Sequence, residues 1–264
     1  MKDIIFSLKK WLIALGINPK NTFQALTKTP KYFKDKNNLK NQLKTKQNKF
    51  VFGNSYPCLF DENEEGGNAS GHYFHQDLLI AQKIFLANPK KHVDIGSRID
   101  GFVSHIASFR EIEVFDIREI KAKIKNIKFS RIDLMGELDE NLINYTDSLS
   151  CLHTLEHLGL GRYGDKIDSN GYLTGLENLT KILKQGGKFY FSIPIGPQRI
   201  EFNAHRVFSV SNLLDLITTQ YIIDSFSYVN DKGDLFKNIS LIEDDILNNY
   251  GCNYGCGIFE LTKI

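Results

Sequence analysis

The stretch Lys90–Phe102, KKHVDIGSRIDGF, places a carboxylate, two glycines and the start of a helix-compatible run side by side. Val93 and Ile95 bracket Asp94 in a short buried-strand pattern, which breaks at Gly96 and resumes after Gly101 as FVSHIASF. A strand that turns through glycine into a helix N-terminus collects free backbone N–H groups, a corner suited to an anionic or polar cofactor group. About twenty residues further on, IEVFD ends in Asp116, the position of the acidic residue that accepts bonds from ribose hydroxyls in nucleoside-binding sheets.

Two histidine spacings suggest metal chemistry and are set aside on sequence grounds. His153-Thr-Leu-Glu156-His157 matches the inverted zinc-protease pattern, which needs both imidazoles on one face of a continuous helix. Here His153 closes an apolar strand, and glycines at 159, 161 and 164 follow too soon for a long helix. His72 and His75 have pair spacing, but no cysteine or third histidine converges on them in the sequence, so they read as surface or rim histidines. Cys252 and Cys256 lack a second close pair and read, with Cys58 and Cys151, as structural thiols in a reducing compartment. No metal site is expected.

The elements that position these residues follow from periodicity. A helix runs from about Tyr73 to Ala87 and stops before Asn88-Pro89. Strands fall near 91–95, 112–116, 126–130, 147–152, 187–193, 221–228 and 256–262, and helices near 101–109, 172–184 and 210–219. This alternation predicts an α/β fold: a Rossmann-like, seven-stranded, mostly parallel sheet with helices on both faces. Ligands in such sheets sit beyond the carboxyl ends of the strands. The glycine loop, Asp116, Asp133, the segment His153–His157 and Pro194–Gly196 are expected to meet there.

The order DIG-loop, acidic residue after the second strand, acidic residue near the third, LHTLEHL and LKQGGKFYFSIP resembles the class I S-adenosylmethionine-dependent methyltransferases over about residues 91–264. HYFHQD, HLGLGRYGD and NAHRVFS further resemble a poorly characterised bacterial subfamily of that superfamily. The resemblance implies S-adenosyl-L-methionine as cofactor, contacted by Asp94, Gly96, Ser97, Arg98, Gly101, Asp116 and Asp133, with Tyr73 and Gln76 closing over it. It implies O-methylation of a sugar-type or other small acceptor in surface-polysaccharide or related biosynthesis. The candidate bases are His157 and His205, then His153 and Asp165, because removal of an acceptor proton by a placed base contributes about 10²–10⁴-fold.

The glycine loop departs from the superfamily pattern. Ser97-Arg98-Ile99-Asp100 separates Gly96 from Gly101 with no middle glycine. Either a side chain crowds the cofactor, or Arg98 pairs with the carboxylate of its methionine moiety. The rival reading is therefore a methyltransferase-like binding module or partner subunit. A nicotinamide-dependent reductase is disfavoured because the dinucleotide fingerprint is absent.

Charge divides the chain of 264 residues unevenly. Residues 1–50 hold twelve lysines and two aspartates, net +10, although the whole chain carries only +2. The expected division is a basic helical N-terminal extension and loop over 1–71 and a catalytic domain over 72–264. A basic arm fits an anionic partner, such as a phosphorylated acceptor. Nucleic acid is disfavoured because aromatic residues on the arm are sparse. Residues 17–50 show no strong period and read as a connector. Ile4, Ile5, Leu8, Trp11, Leu12 and Leu15 lie at helical spacing, which suits self-packing or a peripheral membrane contact through residues 1–16. The longest apolar run there is too short to span a bilayer, so the expected location is the cytoplasm.

Overall fold

A computed structural model describes residues 2–45, 50–63, 66–67 and 69–264. The chain forms two compact units, Met1–Asn68 and Ala69–Ile264.

The first unit contains α1 (Lys2–Ala14) and α2 (Pro19–Thr45). The connector expected over 17–50 is instead mostly helix, with 46–49 outside the described residues. Lysine, glutamine and leucine are good helix formers, but a helix polar on most faces leaves no hydrophobic period to read. α2 even accommodates Pro30, which removes one backbone donor from its interior. On α1, Ile5, Leu8 and Trp11 are exposed. Among the described residues, no helix is long and apolar enough to cross a membrane.

The second unit begins with α3 (His72–Ala87), which Asn88 ends in the left-handed region with its N–H on the Ile84 carbonyl. Then follow β1 (His92–Ile95), the short α4 (Ser104–Ala107), β2 (Ile112–Asp116), β3 (Ile127–Arg131) and β4 (Thr146–Leu152). Next come α5 (Gly171–Ile182), β5 (Leu183–Ile195), β6 (Arg199–Glu201), β7 (His205–Val207) and α6 (Val210–Ile217). The chain closes with β8 (Tyr221–Val229), β9 (Leu235–Phe236), α7 (Glu243–Leu247) and β10 (Gly255–Lys263).

The main sheet runs β3-β2-β1-β4-β5-β10-β8-β9. β3 through β5 pair in parallel, and β10 inserts antiparallel between β5 and β8. All seven expected strands are present. The two-residue β9 makes an eighth, and β6–β7 is a separate hairpin that had no sequence signal. Alternation along the strands feeds two cores. Phe189, Phe191 and Ile193 of β5 pack with Leu179 and Leu213 of α5 and α6. Tyr190, on the opposite face, packs with Ile80 and Ile84 of α3 and with Phe102 and Ile106 around α4.

Candidate functional site

Strand order reverses between β1 and β4, and a cleft opens there beyond the carboxyl ends of the strands. It encloses about 580 Å³ including its open mouth. Gly96, Asp116, Asp133, Thr154 and His157 line it, together with an apolar slot from Phe115, Ile117, Ile132 and Leu134.

Gly96 turns the chain at φ +70°, and its N–H donates to the Phe115 carbonyl at 2.9 Å. A Cβ here would stand 2.5 Å from the Thr154 methyl, so glycine lets the β1 loop meet the end of β4. Asp94, fully buried, holds this loop: its carboxylate accepts from Ser97 N–H (3.1 Å), Ser97 Oγ (2.8 Å) and Ser150 Oγ (2.6 Å). Burial pushes its pKa up to about 7 against these three bonds. Ser97 is buried in this network. Ser150 also meets Nε2 of the buried His92 at 3.1 Å, extending the polar chain beneath the loop.

The rest of the loop differs from the sequence expectation. The backbone between Gly96 and Gly101 bulges into a π-type turn, Ile99–Val103. Arg98 does not line the cleft; its exposed guanidinium makes two bonds to Asp100, at 3.0 and 2.7 Å. It therefore neither crowds the cleft nor, as placed here, reaches into it. Gly101 leaves room for Asp77 of α3, whose Oδ2 would lie 2.8 Å from a Cβ at that position. Asp77 also accepts the Phe102 backbone N–H, so part of the corner expected to greet an anionic ligand is filled by the protein's own carboxylate.

Asp116 lies at the cleft wall, and Arg118 is bound to it. Arg118 Nε and Nη2 donate to the two carboxylate oxygens at 3.0 and 2.7 Å, and the Arg118 N–H adds a third bond at 2.8 Å. The guanidinium also lies over the Tyr163 ring, 4.4 Å from its centre. Asp133 lines the cleft while accepting the Met135 N–H at 2.9 Å.

His157, also lining the cleft, sits in the one-turn helix Leu155–His157. Its Nδ1–H donates to the Ala204 carbonyl at 2.6 Å, which leaves Nε2 as the proton acceptor. Burial lowers its pKa, so the ring is neutral near pH 7. His205, half-buried on β7, stacks on Tyr254 at 4.9 Å and stands 6.3 Å from the His157 ring. Two other polar neighbours are committed to the backbone. Asp165 accepts the N–H groups of Gly159, Gly161 and Tyr163; burial opposes its charge, but these bonds hold its pKa below the ordinary value, which suits a loop anchor better than a base. Arg206, beside His205 on β7, donates to the carbonyls of Leu158 (2.6 Å) and Ser169 (3.1 Å) from a buried position.

His153 takes φ +50° at the end of β4, outside any helix, so the inverted-protease arrangement does not form. Its Nδ1 bonds Glu156 Oε1 at 2.7 Å inside the protein. Gln76 is buried between Asp77 and Ser192 rather than facing the cleft. Tyr73 lies against the His153 ring at 5.3 Å. His72 stacks on His153, and Cys256 converges on both, contrary to the expectation that nothing joins His72. Antiparallel β10 begins where β5 ends, and α3 starts at the same edge, so residues 72, 153 and 256 meet despite their separation. Thr154, Arg118, Tyr163 and Tyr254 carried no usable signal because their roles depend on contacts between loops.

The family model described as "Caenorhabditis protein of unknown function, DUF268" matches residues 92–249. The chain belongs to this family. The matched span contains all the cleft-lining residues, from Ile95 to Asp165. No curated protein matches the chain. Among solved structures, the [4+2]-cyclase SpnF superposes with a TM-score of 0.51 at 13% identity, covering 72% of this chain and 80% of that one. The N-methyltransferase NodS from Bradyrhizobium japonicum WM9, in complex with S-adenosyl-L-homocysteine, gives 0.49 at 12% identity, covering 73% and 88%. The Burkholderia thailandensis 1,6-didemethyltoxoflavin-N1-methyltransferase, also with S-adenosylhomocysteine, gives 0.48 at 15%, covering 71% and 78%. With the strand order, the cyclase superposition gives the chain a Rossmann-like α/β fold.

Proposed function

We propose that this protein is an S-adenosylmethionine-dependent methyltransferase acting in the cytoplasm on oxygen of a sugar-type or other small acceptor, in surface-polysaccharide or related biosynthesis. The observation that carries this reading is one cleft at the sheet's switch point lined by both Asp116 and His157, whose Nδ1–H is held by the Ala204 carbonyl. Gly96, whose Cβ position is filled by Thr154, lets the β1 loop close against the end of β4 at the cleft wall.

When bound, the cofactor supplies an electrophilic methyl group on a sulfonium. Asp116 is the acceptor for its ribose hydroxyls, and Ile117, Ile132 and Leu134 offer an apolar slot for its adenine. Asp94 keeps the Gly96 turn in place from below. His157 Nε2 takes the acceptor's hydroxyl proton, while Ala204 holds the other ring nitrogen in its protonated form. His205 and Tyr254 border the acceptor side. Alignment of acceptor and methyl group then provides much of the rate.

Calorimetry with S-adenosylmethionine and S-adenosylhomocysteine tests the cofactor. A labelled-methyl assay against nucleotide-linked sugars, with and without their phosphates, tests the acceptor class. A second reading, a non-catalytic binding module, draws on the Arg118 clamp over Asp116. Absence of binding at millimolar cofactor would select it.

A further inference from the structure

We propose that His72, His153 and Cys256 form a binding site for one zinc-class divalent ion, with a fourth position open to water or an acceptor oxygen. The ligand-capable atoms of the three side chains lie within 4.8 Å of one another. Bonds of about 2.0–2.3 Å in a tetrahedron put ligand atoms roughly 3.3–3.7 Å apart. Closure thus needs the donor atoms to draw together by about an ångström.

Three independent features point to an ion. His153 commits Nδ1 to Glu156, and its remaining nitrogen, Nε2, is buried without a hydrogen-bond partner although the side chain is only 3% exposed. Leaving such an atom unmatched costs about 1–3 kcal/mol; a metal bond would satisfy it. The Glu156–His153 pair has the carboxylate–histidine arrangement that orients metal-bound imidazoles. Glu156 is itself buried with Oε2 unpartnered. A thiolate at Cys256 and this carboxylate would together balance a divalent charge, which explains a carboxylate tolerated at that depth.

Donor chemistry selects the ion. Two imidazoles and one thiolate suit zinc and disfavour magnesium and calcium, which prefer oxygen. Three protein ligands with an open position is the pattern of a catalytic zinc site. His72, partly exposed on the first turn of α3, leaves an entry path. His72 and His205 both pack on the Tyr254 ring, at 5.2 and 4.9 Å. The site shares His153 with the cleft wall, but its three donors converge whether or not the cleft takes S-adenosylmethionine.

The test uses the full chain, stripped with a chelator and titrated with Co²⁺, followed by Zn²⁺ competition and elemental analysis. The expected result is one equivalent of metal, a near-ultraviolet thiolate-to-cobalt band, and displacement by zinc. Cys256→Ser should abolish that band. His72→Ala, which alters a partly exposed side chain and should fold normally by circular dichroism, should weaken binding about 100-fold or more. His75→Ala should leave binding unchanged. Absence of the thiolate band in the folded wild-type chain, or unaltered affinity in His72→Ala, would overturn the proposal.

Discussion

Arg118 grips Asp116 through both carboxylate oxygens, at 3.0 and 2.7 Å, and lies across the cleft mouth on the Tyr163 ring. The acid expected to receive a ribose already has a partner two residues away. The guanidinium is half-exposed while the Asp116 carboxylate is largely covered, so a nucleoside with two hydroxyls can displace Arg118 from its solvent side. Arg118 therefore competes for Asp116 and does not seal it.

That competition has two signs. Asp116→Ala should weaken S-adenosylhomocysteine binding about 10- to 100-fold, through loss of charge-assisted hydrogen bonds. Arg118→Ala should strengthen it by up to about fivefold, since the carboxylate no longer has to be released. Calorimetry on both variants checks the pair. Tighter binding by Asp116→Ala would remove Asp116 from the cofactor site.

Asp94 makes stability depend on pH in a way opposite to most carboxylates. Its pKa is raised to about 7 by burial, whereas the unfolded chain has about 3.8. A raised acid pKa favours the folded state fully below the unfolded value, and that benefit is lost as pH rises towards 7. Asp94→Asn keeps an acceptor for the serines and removes the titration. Compared with this variant, the wild type should lose on the order of 3–4 kcal/mol between pH 4 and pH 7. Urea unfolding of both proteins at intervals across that range measures it; parallel curves would contradict the buried-charge account.

Gly96→Ala should destabilise the fold by about 2–3 kcal/mol, from the positive φ and the collision with Thr154. Thr154→Ala removes the two atoms nearest the added methyl. In that background the cost should fall to about 1–2 kcal/mol, the backbone part alone. Thermal denaturation of the four proteins in the cycle gives the coupling, and strict additivity would show that the two sites do not touch.

Arg206→Met should loosen the segment 156–169, because four carbonyls within donor range of the guanidinium lose their partner. The expected loss is about 3 kcal/mol. It should appear as a lower melting temperature and faster proteolysis within the 159–168 loop. An unchanged cleavage pattern would show that Asp165 holds this loop alone.

Much of the fold was legible because its signals are local. The seven strands carry β-type apolar runs, α3 stops where Asn88 precedes Pro89, and Gly96 marks a turn. Arg98 and Gln76 stand apart from the cleft lining, which the sequence could not reveal because each depends on a neighbour: Asp100 captures one, and the buried Asp77 and Ser192 capture the other. α2 was missed for the opposite reason, since a mostly polar helix has no apolar stripe to betray it.

By itself the amino-acid sequence determined the alternating α/β order, the glycine turn after β1 and the acidic end of β2, because backbone torsions and side-chain periodicity act over a few residues. Only the tertiary structure decided which side chains face one another. Antiparallel β10 brings Cys256 to the carboxyl edge of the sheet, α3 delivers His72 to the same edge, and the left-handed turn at His153 aims its ring between them. That convergence comes from strand direction and packing across more than a hundred residues, which no local pattern encodes.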